Sequence, residues 1–101
     1  MTLTIRTLES IYRAQGHIQN GTFSGCWHFS FADYYDPNFV DFAALRVSND
    51  DTISSGAVWT LHPHQEVEVV TYCVEGEFKH ADERGEGEVL EKGWVQHTTV
   101  G

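Results

Sequence analysis

Gly56-Ala57-Val58-Trp59-Thr60-Leu61-His62-Pro63-His64-Gln65-Glu66-Val67-Glu68-Val69-Val70-Thr71-Tyr72-Cys73-Val74-Glu75-Gly76 is the stretch on which the reading of this chain turns. Val67–Val74 is rich in β-branched and aromatic residues, and Glu75-Gly76 after it is a tight corner, so a strand followed by a turn is expected. His62 and His64 stand two apart on an extended segment. Side chains at i and i+2 leave the same face of such a segment, which brings two imidazoles toward one point. Pro63 between them lacks an N–H and stiffens the backbone, which favours a strand end or edge. Neutral imidazole suits iron, zinc, copper and nickel, and a carboxylate such as Glu68 adds a harder oxygen donor.

Outward from this core the chain reads as β structure throughout. Thr22–Phe31 alternates, with Cys26, His28 and Ser30 on one side and Trp27, Phe29 and Phe31 on the other. Glu77–Ala81, Val89–Leu90 and Trp94–Val100 are further strands, Gly93 marks a turn, and Ala57–Leu61 is a strand leading into the histidines. Leu3–Thr7 alternates and reads as an edge strand, while Leu8–Ala14 has room for one helical turn. Ala32–Asn38, Ser48–Gly56 and Asp82–Gly87 carry Asp, Asn, Ser, Pro and Gly and read as loops or turns. Val40–Val47 between two of them returns to apolar character. Short strands cut by such turns predict an all-β sandwich or small barrel, here one domain over residues 1–101.

Composition narrows the function. Six Lys and Arg stand against 15 Asp and Glu, a net charge of −9, and the six basic residues are scattered. No basic patch can release counterions from a phosphate backbone, so direct nucleic-acid binding is excluded at this stage. No run of about 18 apolar residues is present and the first residues lack the apolar centre of an export signal, so a cytoplasmic protein without a membrane span is expected. Two cysteines, Cys26 and Cys73, are too few for a disulfide framework and read as reduced thiols. Glu77, Asp82, Glu83, Glu86, Glu88 and Glu91 read as a solvated acidic face. The serines lack a nucleophile elbow, the cysteines lack a nucleophile signature, and no glycine loop cradles a phosphate.

The frame Gly56-x5-His62-x-His64-x3-Glu68-x7-Gly76 resembles the first motif of the cupin superfamily. With it go His28-Phe29-Ser30-Phe31-Ala32-Asp33-Tyr34-Tyr35-Asp36-Pro37, Leu45-Arg46-Val47-Ser48-Asn49-Asp50-Asp51, Glu68-Val69-Val70-Thr71-Tyr72, Val74-Glu75-Gly76, His80-x-Asp82-x-x-Gly85 and Gly93-x-Val95-Gln96. In order and spacing these are similar to the amino-terminal cupin of the pirin family, over Arg6 to Gly101. The resemblance implies a jelly-roll β-barrel and a transition metal, iron in the first place, with His62 and His64 as its first two ligands. It also implies activity like that of flavonol 2,3-dioxygenases in some members and nuclear co-regulation of transcription in eukaryotic ones.

In pirins the Gly-Asp-x-Gln stretch leads to a further His and Glu that complete the metal site. Here Trp94 replaces the acidic turn residue, and the sequence reaches Gly101 before that pair. The expectation is therefore a cupin truncated before its last ligands, incomplete at the C-terminal end, without a second cupin, and completed by dimerisation. Structural and catalytic metal sites take three or four protein ligands, so two histidines leave a shortfall. Glu68, His97 and His80 are the candidates to fill it, with a structural hydrogen-bonding role the first reading of His80; His28 reads as a packing residue and His17 as unremarkable. A one-residue step separates His97 from Gln96 and places it on the other sheet face, which reads as a surface position. The functional expectation is a metal-binding lineage now serving as a non-catalytic, self-associating homodimer or higher homo-oligomer, metal-free or holding iron or another divalent metal. The alternative is an iron-dependent, quercetinase-type dioxygenase with an open site at His62 and His64 and a small aromatic ligand.

Overall fold

The computed structural model describes residues 2–59, 66–81 and 87–100. The chain is all-β apart from one 3-10 turn, with seven strands among the described residues: β1 (Tyr12–Ile18), β2 (Gly21–Trp27), β3 (Asn49–Ile53), β4 (Val67–Tyr72), β5 (Glu77–Ala81), β6 (Gly87–Glu91) and β7 (Val95–Val100). They form antiparallel sheets in the orders β1-β2-β3, β4-β7 and β5-β6. The chain divides into two compact units, 1–60 and 61–101. No described helix is long and apolar enough to cross a membrane.

In the first unit, β1 and β2 form a hairpin with Ile18 opposite Gly21. Asn20, in the turn, sits at φ 63°, a left-handed conformation that Asn tolerates better than most residues. Period-2 alternation then divides the sheet. Tyr12, Trp27 and Asn49 share one face with Ala14, Gly25 and Asp51 and with Gly16, Phe23 and Ile53; Arg13, Cys26 and Asp50 and then Gln15, Ser24 and Thr52 share the other. The first face is the core. Ala14 and Trp27 are buried there, Tyr12 stacks on Tyr34 at 4.2 Å, Phe31 meets Trp27 edge-on at 4.9 Å, and Trp59 packs on Phe23 at 4.9 Å. Trp27 Nε1–H donates to Asp51 Oδ1 at 3.0 Å, which satisfies the indole donor inside the aromatic cluster.

Three sequence expectations fail in this unit. Leu3–Thr7 is not a strand: the Thr7 carbonyl accepts from Ser10 N, closing the turn Leu8–Ser10, while Leu3 and Ile5 are exposed. Arg6 instead donates from Nη1 to the His28 carbonyl and lies 3.7 Å over the Phe39 ring. β2 stops at Trp27, because His28 N–H goes to Ser48 and Ser30 N–H to Phe39; Ser30 Oγ also accepts from Asp36 N–H at 2.9 Å and ties the loop Ser30–Phe39 to itself. Asn49–Ile53 is a strand rather than a turn, since pairing to β2 and the Trp27 indole overrides the turn preference of Asn and Asp. The helical allowance over Leu8–Ala14 holds only to Ser10, and β1 begins at Tyr12. Of the expected strand Ala57–Leu61, Val58 forms a single bridge to Gln19; the end of that segment lies outside the described residues.

In the second unit the strands fall where the alternation puts them. β4 pairs with β7 from Val67 opposite Val100 to Tyr72 opposite Val95, and β5 with β6 from Glu77 opposite Glu91 to Ala81 opposite Gly87. The expected turns carry the left-handed backbone that glycine accommodates: Gly76 at φ 77° and Gly93 at φ 85°, with Trp94 N–H closing on the Glu91 carbonyl. Cys73 and Leu90 are buried. Cys26 and Cys73 are both free thiols.

Candidate functional site

His62, Pro63 and His64 lie outside the described residues, so the two expected ligands have no described geometry. Among the described residues no group of three or more His, Cys, Asp and Glu converges on one point. The structure does place the residues expected to supplement them.

On β4–β7, direct cross-strand partners share a face. Glu68, Val70 and Tyr72 therefore stand with Val95, His97 and Thr99 on one side, and Val67, Val69 and Thr71 stand with Gln96 and Thr98 on the other. His97 is thus opposite in face to Gln96, as the one-residue step requires, and on the same face as Glu68. Its Nε2 lies 3.7 Å from Glu68 Oε2, and both side chains are exposed. The alternation of β4 does not run back past Glu66, which sits at φ 54°.

His80 is exposed on β5. It follows Phe78 on β5 by two residues and shares its face, where Phe78 lies opposite the buried Leu90. Its Nδ1 is 2.8 Å from Gln96 Oε1. A carboxamide oxygen only accepts, so with that oxygen facing the ring Nδ1 is the donor. The contact joins the β5–β6 hairpin to β7 and is the structural hydrogen-bonding role expected of this histidine. His28 gives its backbone N–H to Ser48 and its carbonyl to Arg6, which makes it part of the loop packing; His17 is exposed on β1.

Asp51 is the functional-looking group that sequence reasoning passed over. Its carboxyl is raised above the usual carboxylate range by desolvation first, opposed by the hydrogen bond from Trp27 and reinforced by neighbouring Asp50. Gly25, directly across the ladder, leaves the space it occupies. An Asp three to five residues from the end of a loop carries no special signal; only the pairing of β3 with β2 reveals it.

Short antiparallel hairpins, an all-β course and a His-Pro-His segment ahead of β4 define a cupin-class β domain. The Pirin family model matches residues 10–101. The chain is 46% identical over 88 residues to a quercetin 2,3-dioxygenase of Escherichia coli, covering 86% of this chain and 38% of that protein. It is 44% identical over 86 residues to a putative quercetin 2,3-dioxygenase of Pseudomonas aeruginosa, covering 85% and 37%, and 40% identical over 86 residues to a pirin-like protein of Caulobacter vibrioides, covering 85% and 37%. No solved structure matches the chain significantly. The chain belongs to the pirin family. It spans less than two fifths of the length of these relatives.

Proposed function

We propose that this chain is a metal-binding pirin-type cupin whose chemistry is dioxygenation of a flavonol-like polyphenol, with His62 and His64 as ligands to iron or a similar divalent transition metal. The observation that carries the reading is the match of residues 10–101, which include His62-Pro63-His64, to the family, together with 46% identity to a quercetin 2,3-dioxygenase. The donor set fits such an ion: imidazole nitrogen is a preferred donor for iron, nickel, copper and zinc. When bound, the metal supplies Lewis acidity and a site at which oxygen and substrate meet. The chain's own residues do the rest. Gln96 orients the His80 ring through its Nδ1, and Val70, Tyr72 and Val95 offer apolar surface suited to a flat aromatic ring. A cytoplasmic setting belongs to the same reading, supported by two free thiols.

The test is metal analysis of protein loaded anaerobically with Fe2+, with oxygen uptake on quercetin as the second readout. His62→Ala and His64→Ala should each abolish metal retention and uptake. Retention unchanged in both variants, or none in the parent chain, refutes the reading.

One observation favours self-association as a second reading. Val70, Tyr72 and Val95 are 68%, 58% and 62% exposed on one sheet face, and such apolar patches mark association sites. A second copy of the chain is the proposed partner. With −9 on each copy, association should strengthen as salt screens the repulsion. Light scattering at micromolar concentration checks it, and a monomer mass at both low and high salt refutes it.

A further inference from the structure

We infer that residues 2–6, an extended strap ahead of β1, add as an antiparallel strand to the open edge of β3 in a second copy of this chain, with Arg6 opposite Asp50. The inference concerns unit one alone and stands apart from the metal-binding reading.

The strap is a strand without a ladder. Leu3 and Ile5 are 78% and 77% exposed, and among the described residues the backbone of 2–6 makes no hydrogen bond to other backbone. Its anchor is Arg6, which donates from Nη1 to the His28 carbonyl and lies 3.7 Å over the Phe39 ring. That berth only half satisfies the guanidinium, because Nε and Nη2 are buried without a hydrogen-bond partner. Buried N–H groups of a charged side chain are costly to leave unpaired. A carboxylate accepts from two guanidinium N–H groups at once.

β3 offers the complementary edge. Among the described strands it pairs with β2 alone. Ser54 N–H goes to the Thr22 carbonyl and His28 N–H to that of Ser48, so even-numbered residues of β3 turn their backbone groups toward β2 and Asn49, Asp51 and Ile53 turn theirs outward. Such an edge accepts a further strand. Its two faces are also distinct: Asp51 and Ile53 lie on the core face, Asp50 and Thr52 on the polar one. The strap alternates in step, with Leu3 and Ile5 on one side and Thr4 and Arg6 on the other. Set antiparallel with Arg6 opposite Asp50, Thr4 falls opposite Thr52 and Leu3 opposite Ile53, while Ile5 over Asp51 completes the register. Opposite charges and paired threonines stabilise a sheet, and Leu3 meets Ile53 on the apolar side. A slip of one residue would put Leu3 and Ile5 on the polar face.

Charge selects the occupant. Two copies at −9 repel one another over most of their surfaces. The strap, however, carries one arginine and no acidic residue, and β3 carries Asp50 and Asp51 and no basic one. Within one chain the strap lies on Phe39 and not on β3, so the pairing is assigned between copies. Exchanged reciprocally, it forms a two-fold dimer with two such contacts.

The experiment mixes a Thr4→Cys chain with a Thr52→Cys chain under mild oxidation and maps the disulfides by mass spectrometry of unreduced peptides. On this edge Thr52 is a non-hydrogen-bonded position, where opposed Cα atoms stand about 4.5 Å apart, within the span of a disulfide. The two chains should join at the substituted positions, and a Ser10→Cys chain in place of Thr4→Cys should not. A chain carrying both Thr4→Cys and Thr52→Cys should likewise join to a second copy; closure within itself puts the strap on its own β3 and overturns the second copy as occupant. No disulfide between the mixed chains overturns the pairing altogether. Arg6→Asp should weaken dimerisation, followed by analytical ultracentrifugation, by about tenfold, since a like-charge pair is created twice per dimer. Arg6→Asp combined with Asp50→Arg should restore it, which loss of the Phe39 contact alone does not allow; no recovery overturns the register. The crosslink should persist in Tyr72→Ser, which alters the β4–β7 face, and its loss there overturns the assignment to unit one.

Discussion

Replacing Gly25 by alanine should be among the most damaging single-methyl changes in this chain. Gly25 lies on β2 directly opposite Asp51, and the side chain of Asp51 turns over it to receive the Trp27 indole N–H. A Cβ at Gly25 would stand 2.1 Å from Asp51 Oδ1, 2.4 Å from the Asp50 carbonyl oxygen and 2.9 Å from Asp51 Cα. The first contact could be relieved by swinging the carboxylate away, at the expense of the hydrogen bond to Trp27, a bond to a charged group worth about 1.5–3 kcal/mol. The other two are backbone and cannot move without parting β2 from β3, an overpacking cost of about 1–3 kcal/mol. Together they come to at least about 2.5 kcal/mol, a large fraction of the 5–15 kcal/mol typical of a domain. In a domain of this size each kcal/mol shifts Tm by about 4–8 °C, so thermal unfolding followed by tryptophan emission should show a fall of at least about 10 °C. Asp51→Gly in the same background should recover only part of the loss, because the Asp50 carbonyl contact remains. A Gly25→Ala protein within about 1 kcal/mol of the parent would show that Asp51 does not occupy the space above Gly25, and the account of the unit-one core would fall with it.

Three further outcomes follow. Because burial raises the Asp51 carboxyl, the native chain holds that proton more tightly than the unfolded one; the associated stability is fully present below 3.8 and is lost as pH rises through the raised value. Asp51→Asn keeps an acceptor for Trp27 and removes this dependence, so variant-minus-parent Tm should be more positive at pH 7 than at pH 3, and the reverse order refutes the assignment. Ala32 and Ala43 sit at φ 48° and 54°, where glycine carries no Cβ penalty, so Ala43→Gly should raise or leave Tm unchanged, and a loss above about 1 kcal/mol in chemical denaturation contradicts the strain. Lys92 Nζ and Glu75 Oε2 are 3.1 Å apart but exposed, so Lys92→Met should cost less than about 1 kcal/mol, measured the same way.

How far the sequence foretells this structure depends on where the deciding interaction lies. The strands β4, β5 and β7 and the turns at Gly76 and Gly93 are legible because local alternation and glycine placement agree with the final pairing. β1 carried a signal that went unused: Asn20-Gly21 is a strong short hairpin dipeptide, and it sits where β1 turns into β2. β3 carried none, since Asn49-Asp50-Asp51 is turn chemistry and becomes a strand only because β2 offers a partner and Trp27 offers a donor. Leu3–Thr7 alternates convincingly, yet the Arg6 side chain finds Phe39 and the His28 carbonyl, contacts more than twenty residues away that no local pattern encodes. At the candidate site, the face shared by Glu68 and His97 follows from register alone, and register required knowing that β4 pairs with β7.

The two units differ in how much of their stability is visible within them, and this bears on why the second should bind anything. Unit one has a continuous aromatic core, from Tyr34 through Tyr12, Trp27 and Phe23 to Trp59, with its one buried indole donor satisfied. Unit two has Cys73 and Leu90 as its buried apolar residues among those described, and leaves Val70, Tyr72, Val74, Trp94 and Val95 more than half exposed. Two-stranded sheets are marginal in water on their own. A ligand that binds only the folded form contributes stability that grows with the logarithm of its concentration over Kd. Aromatic substrate or a second copy laid over Val70, Tyr72 and Val95 would therefore act where the intrinsic stability is least. In unit two, then, binding and folding draw on the same few residues, and substitutions at Val70 or Tyr72 that leave the free chain unchanged should still alter its stability once that face is covered.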